Sequence, residues 1–196
     1  MPITLPPHAE PNYRATVLWW MLTRVTSFTE VATARLLLTA VAMTDLDEFH
    51  ALHSDPAVFQ DAPEARHPDR NYSESIIGTF VDDWARWGLG YWSARLAGTR
   101  QYIGCAGVRR NEVNWNVYYR FTPVAWGQGY AIEVIRTAAP CAEAIEPGAI
   151  LQAVMRRSNI ASRAVAQRLG MTFCGSLPDH AGAEDLVFQL PAAELR

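Results

Sequence analysis

Trp126-Gly127-Gln128-Gly129-Tyr130-Ala131 stands between an aromatic, strand-like run and a helix-like run. Two glycines at a helix start let the backbone approach an anion closely, with several N–H groups and the helix dipole aimed at it. The segment is therefore a candidate cradle for a phosphorylated ligand. What surrounds it decides which fold carries it.

Upstream, residues 91–96, 102–108 and 115–121 read as three strands joined by Gly98-Thr99 and by a polar turn over residues 109–114. Such short connections imply antiparallel neighbours. Farther upstream, residues 35–41 form a first strand, and Thr44 or Asp45 caps a helix through about His53 that Asp55-Pro56 ends. After a proline-bearing loop over residues 61–72, Ser73 and Glu74 open a second helix. Its apolar positions Ile76, Ile77, Phe80, Val81 and Trp84 recur at helical spacing, and Gly88 and Gly90 terminate it.

Downstream of the glycines, a helix runs from about Gln128 to Ala144 and breaks at Pro147-Gly148. A strand at 150–155, a helix from about Asn159 to Leu169 stopped by Gly170, and strands near 171–176 and 185–190 follow. The order β, α, α, β, β, β, α, β, α, β, β describes one α/β (α+β) domain over residues 31–196, with a mixed, mostly antiparallel sheet of about six to seven strands. Residues 1–30 differ: Pro2, Pro6, Pro7 and Pro11 break regular structure, and Trp19-Trp20-Met21-Leu22 forms an isolated apolar cluster. This N-terminal extension is either an arm that docks its tryptophans on the domain or on a second subunit of a homodimer, or an over-early start with Met21 as the natural first residue.

Composition narrows the chemistry. All 17 Lys+Arg residues are arginine, which excludes a P-loop lysine, a pyridoxal phosphate Schiff base and a lysine nucleophile. A formal charge of −3 argues against a nucleic-acid partner held by phosphate neutralisation. Cys105, Cys141 and Cys174 are odd in number and contain no C-x-x-C pair, so no disulfide framework or zinc site is indicated and buried thiols in a reducing cytoplasm are expected. His50 and His53 form a helical i, i+3 pair without further ligands, and two polar positions on a solvated face are the simpler reading than a metal site or an acceptor-cleft wall. The apolar run at 17–22 is far shorter than the roughly 20 residues that span a bilayer, so no membrane partner is expected.

A dinucleotide turn fits poorly. It belongs after the first strand with an acidic residue about 20 positions on, whereas here the turn follows a meander and the next strand ends in Met155-Arg156-Arg157.

The segments resemble, in order, the GNAT family of N-acetyltransferases, and within it the branch of ribosomal-protein alanine and serine N-acetyltransferases. The resemblance runs from about Thr33 to Leu190. It rests on Thr33-Ala34-Arg35-Leu36-Leu37-Leu38, Asp55-Pro56, Gly88-Leu89-Gly90-Tyr91-Trp92, Ile103-Gly104-Cys105-Ala106-Gly107, Tyr119 to Phe121 with Pro123, Trp126 to Ala131, and Asn159-x-x-Ser162 with Leu169-Gly170. It implies a GNAT fold and acetyl-CoA as cosubstrate, without a metal. By resemblance, the backbone of Trp126, Gly127, Gln128, Gly129, Tyr130 and Ala131 binds the pyrophosphate. The strand ending at Phe121 and Thr122 splays from the strand at 150–155 to admit the pantetheine arm, and Asn159 meets the cofactor while capping its helix.

Acetyl transfer to an amine needs a neutral nucleophile, oxyanion stabilisation and a proton for the departing thiolate. Ser162 matches a serine proposed in this branch to supply that proton. Many relatives carry Glu or Asp three residues before the tyrosine that matches Tyr119, where this chain has Asn116. Asn116 cannot accept a proton but can hold a water; Glu112 and Glu133 read mainly as surface or helix-start charges. Alternation along the strand places Tyr118 on the same face as Asn116, toward an acceptor site.

A weak base suits an α-amine, of which on the order of 10% is neutral at pH 7, better than a lysine ε-amine, of which well under about 0.1% is. The expected activity is therefore N-acetylation of a peptide N-terminus or a small-molecule amine by direct attack. An inactive acyl-CoA-binding module is the alternative. A nucleic-acid-modifying enzyme would need a basic face, for which Arg109-Arg110 and Arg156-Arg157 are the paired arginines.

Overall fold

The computed structural model of the chain describes residues 27–178 and 184–195. The N-terminal prolines and the tryptophan cluster at 19–22 lie outside the described residues. In chain order the elements are β1 (Glu30–Ala32), β2 (Leu36–Ala40), α1 (Leu46–Ser54), α2 (Arg70–Trp87), β3 (Tyr91–Leu96), β4 (Tyr102–Arg110) and β5 (Trp115–Phe121). They continue with α3 (Tyr130–Ile145), β6 (Ile150–Arg156), α4 (Ile160–Arg168), β7 (Thr172–Pro178) and β8 (Glu184–Pro191).

Among the described residues the strands form one sheet in the order β1-β2-β3-β4-β5-β6-β8-β7. Every neighbouring pair is antiparallel except β5 and β6, which the crossover through α3 makes parallel. Alternation along β5 divides the core: Trp115, Val117 and Phe121 join the main cluster with Val134 and Ile135 of α3. On the other face Tyr118 packs on Tyr91, Tyr102 and Cys105 beneath Phe49 of α1 and Ile77 and Phe80 of α2. The site lies where this sheet opens.

Eight strands are present where the sequence suggests six to seven. The extra one, β1, is three residues long at the sheet edge, too short to carry a readable alternation. Helix α2 begins at Arg70, earlier than Ser73, because the Asp69 side chain caps it by accepting from the Tyr72 N–H at 2.8 Å. Cys105 and Cys141 are buried as expected, but Cys174 is exposed, since β7 is the outermost strand and buries little of either face.

The Ile103-Gly104-x-x-Gly107 pattern has a packing cause. A Cβ built on Gly104 collides with the Arg120 carbonyl oxygen and the Phe121 ring on β5. Gly104→Ala is therefore expected to lower stability by about 1–3 kcal/mol through forced backbone movement. Thermal unfolding checks this, and an unchanged midpoint would mean that β4 and β5 are not held at this spacing.

Candidate active site

Strands β5 and β6 pair only at Trp115 with Leu151 and at Asn116 with Gln152. Beyond that, β6 keeps its ladder with β8 through Arg156, so the C-terminal halves of β5 and β6 diverge. This is the expected splay.

Two cavities occupy the opening. The larger, of about 380 Å³, is lined by Phe121, Trp126, Gly127, Gly129, Tyr130, Ala131, Asn159, Ser162 and Arg168, among others. The smaller, of about 260 Å³, lies against Tyr118, Val154, Arg156 and Asp185, and against Asp61, Ala62 and Ala65 of the loop after α1. Both are walled by Val58, Asp61, Tyr119, Arg120, Asn159 and Ser162. The two cavities therefore meet along these shared residues.

The glycine segment has the backbone its sequence suggests. Gly127 and Gly129 have φ of 72° and 76°, left-handed values that only glycine adopts freely, and Gly129 is the residue that opens α3. The Arg35 guanidinium braces the turn from β2's N-terminal approach: one nitrogen donates to the Gln128 carbonyl at 2.8 Å and two others meet Glu133, at 2.7 and 2.6 Å. The Thr33 hydroxyl donates to the same carboxylate at 2.5 Å. Burial pushes the Glu133 carboxyl up, but these bonds outweigh it and hold its pKa below the ordinary value. Glu133 is thus a structural clamp with both oxygens engaged, a role the Thr33-x-Arg35 spacing does not disclose.

Of the residues singled out in sequence for the donor, Thr122 and Gln128 do not wall the cavity. Thr122 donates its N–H to Ile103, and Gln128 presents its carbonyl to Arg35. The Asn159 side chain accepts from the Ser162 N–H at 2.9 Å, and Trp126 Nε1–H donates to the Phe121 carbonyl at 2.7 Å. The Ser162 hydroxyl reaches the Tyr119 phenol, whose pKa is raised by burial and partly pulled back by that hydrogen bond.

Asn116 lines neither cavity. Its side-chain N–H donates to the Tyr91 hydroxyl at 2.8 Å, above the mouth of the splay. Tyr118 does line the smaller cavity, and its hydroxyl bonds His53 Nε2 at 2.8 Å.

His53 is not on a solvated face. It is 2% exposed, and burial drives its pKa down to about 3 against the opposing bond to the Phe49 carbonyl. The neutral ring uses Nδ1–H on that carbonyl at 2.8 Å, so Tyr118 O–H donates to Nε2. His50 and His67 both bond the Ser73 hydroxyl at 2.8 Å, and burial lowers the His67 pKa to about 4.

Three residues around the two cavities, Arg120, Asp61 and Asp185, are not among the site residues the sequence suggests. Arg120 shares the Tyr118 face by alternation, so it was findable; one guanidinium nitrogen reaches the Val58 carbonyl at 3.4 Å and its plane lies 4.4 Å over the Phe59 ring. Its Nε is buried and has no hydrogen-bond partner. Asp61 and Asp185 arrive only through tertiary structure, and no local pattern marks them. The paired arginines are spoken for: Arg109 meets Asp83, Arg110 meets Glu146, Arg156 meets Glu64 and Arg157 meets Glu184. Among the described residues, no group of three His, Cys, Asp or Glu side chains could hold a metal ion, and no helix is long and apolar enough to cross a membrane.

A family model described as an acetyltransferase (GNAT) domain matches residues 35–172. An acetyltransferase from Agrobacterium tumefaciens str. C58 has the same fold at 23% identity and a TM-score of 0.71, over 84% of this chain and 95% of that one. A ribosomal L7/L12 α-N-protein acetyltransferase in complex with coenzyme A is similar at 17% identity and a TM-score of 0.67, over 82% and 96%. A spermidine N-acetyltransferase chimera from Vibrio cholerae and hSSAT matches at 16% identity and a TM-score of 0.67, over 83% and 98%. No curated protein matches the sequence.

Proposed function

Because the chain belongs to the GNAT acetyltransferase family, we propose that it transfers the acetyl group of acetyl-CoA to a primary amine, either a protein N-terminal α-amine or a small molecule. The reading is carried by the meeting of two cavities at Tyr119, Arg120, Asn159 and Ser162. The larger cavity has the glycine turn at one wall, where the N–H groups at the start of α3 suit a pyrophosphate, as they do in the family. The diverging halves of β5 and β6 leave backbone groups without ladder partners beside the junction, suited to a thioester carbonyl.

The amine attacks directly, without a covalent acetyl-enzyme. Cys105 supports this from the negative side: it is wholly buried, and burial pushes its thiol pKa far up, the reverse of an activated nucleophile. Ser162, bonded to the Tyr119 phenol, stands at the junction where a departing thiolate would take a proton. That thiol has a pKa of about 8.5 by analogy with cysteine, so losing the acid should be tolerable. Ser162→Ala is expected to slow turnover by less than about tenfold at pH 7 and more than that only at low pH; single-turnover rates check this.

An α-amine remains the favoured acceptor, in line with the branch resembled and with the neutral fraction available near pH 7. Thiol release from acetyl-CoA, followed with peptides bearing Ala or Ser N-termini, lysine side chains and small amines, tests the whole reading. Preference for lysine across about pH 7 to 9 would sink the α-amine assignment. Binding of acetyl-CoA without turnover on any acceptor would favour the inactive module.

The Arg35 brace gives a separable expectation. Arg35→Ala removes the bond to the Gln128 carbonyl and frees Glu133, so the KM for acetyl-CoA should rise about tenfold, the equivalent of one charged hydrogen bond, with kcat nearly unchanged. An unchanged KM would mean that the turn holds its shape alone.

A further inference from the structure

We propose that Asp185 is the carboxylate that receives the acceptor's ammonium group and removes its proton, a role that rests on the acetyl-transfer reading above. Asp185 walls the smaller cavity, which shares Tyr119, Arg120 and Ser162 with the donor cavity. Its Oδ1 is buried and has no hydrogen-bond partner. A buried carboxylate oxygen left without a donor is costly, and a cationic ligand in the cavity removes that cost.

The charges around Asp185 leave the position to an incoming cation. Arg156 lies opposite it in the β6–β8 ladder, but its guanidinium is bound to Glu64 and donates to the Asp61 carbonyl at 2.9 Å. Arg157 pairs with Glu184 at 3.1 Å. From β7 the register partner is Leu177, which is apolar. From β5 come Tyr118, whose proton is committed to His53, and Arg120, which stacks on Phe59 and reaches the Val58 carbonyl. From the loop after α1 comes Asp61, a second carboxylate that adds to the attraction for an ammonium.

The other candidate bases are removed by the same geometry. Asn116 has no carboxylate and stands outside both cavities, and Glu133 is held by Thr33 and Arg35. The carboxylate that relatives carry on β5 is supplied here from β8.

In the step itself, an N–H bond of the ammonium breaks and its proton passes to Asp185, directly or through one water. The freed nitrogen lone pair forms the C–N bond at the thioester carbonyl, and the C–S bond breaks with its electron pair going to sulfur. The second proton shed by the new amide nitrogen reaches the thiolate by way of Ser162 or water, and Asp185 returns its proton to solvent. Arg120, between the two sites, disfavours a second positive charge and so assists the first transfer.

The experiment compares wild type, Asp185→Asn and Asp185→Glu over about pH 6.5 to 9.5, using the best amine of the panel, with acetyl-CoA affinity measured separately by calorimetry. Asp185→Asn should lower kcat/KM for the amine about 10²-fold near pH 7, with the gap closing as pH rises and the amine reaches the site already neutral. Asp185→Glu should recover part of the loss, and acetyl-CoA affinity should not move. A loss by the same factor at every pH, no loss, or weakened acetyl-CoA binding would overturn the role while leaving acetyl transfer intact. Failure of the wild type to acetylate any amine would overturn both.

Discussion

Acidification from pH 6.5 to 4 is expected to cost the fold roughly 3 kcal/mol through His53 alone, at about 1.4 kcal/mol for each pH unit. The folded state holds this ring neutral, with a pKa of about 3 against 6.5 when exposed, so the unfolded chain binds the extra proton. The stabilising difference is therefore complete above pH 6.5 and shrinks as pH falls toward 3. His67, with a pKa lowered to about 4, acts in the same direction over a narrower window. Glu133 adds a later loss, because its lowered carboxyl stabilises the fold above its ordinary value of 4.5 and ceases to do so as acid titrates it.

A drop of this size is a large part of the stability of an ordinary domain. Chemical unfolding between pH 7 and 4 would measure it. His53→Gln, which keeps a side-chain acceptor for the Tyr118 hydroxyl, should flatten the slope. An identical slope in that variant would show that His53 is not the group responsible. Since Tyr118 lines the smaller cavity, the same protonation should disturb that wall before the chain unfolds.

The contrast between what the sequence discloses and what it conceals follows from how local each cause is. Gly127 and Gly129 were legible because a φ near 70° is a one-residue requirement that only glycine meets cheaply. The helix at 130–145, expected from about Gln128 to Ala144, was legible from the glycines before it and Pro147-Gly148 after it, and the meander from its short polar connections. Asp69 falls inside the loop that the sequence suggests over residues 61–72, although it is the cap of α2. His53 was read as solvated, since an i, i+3 pair of histidines says nothing of the aromatic cluster that folds over it. Asp185 had no local signal at all: its place in the wall of the smaller cavity is created by the pairing of β6 with β8 and by the divergence of β6 from β5. The glycine turn on the larger cavity is written in contiguous residues, whereas the wall of the smaller cavity is assembled from four separate segments.

Substitution of Gly129 should weaken acetyl-CoA binding in the order Asn, then Ala, then Val, with Val reducing affinity by about 10²-fold. A Cβ has room: the nearest atom to one at Gly129 is an Arg35 nitrogen at 3.9 Å, and nothing lies within 4 Å at Gly127. The penalty is therefore conformational rather than steric packing. A left-handed residue costs about 1–2 kcal/mol without glycine, less for Asn and more for a β-branched side chain. The chain can bear that strain and keep the turn, or relax and lose it. The turn faces the cavity and is braced at the Gln128 carbonyl by Arg35, whereas α3 behind it is anchored by Val134, Ile135 and Ala138 in the core. Relaxation is the cheaper course, so the N–H groups at the helix start should turn away while the melting temperature barely moves. This is the opposite of Gly104→Ala, where no space exists and the loss falls on stability. If Gly129→Val bound acetyl-CoA as tightly as the parent protein, the pyrophosphate would have to lie elsewhere. If Asn and Val weakened it equally, the left-handed backbone would not be what the ligand requires.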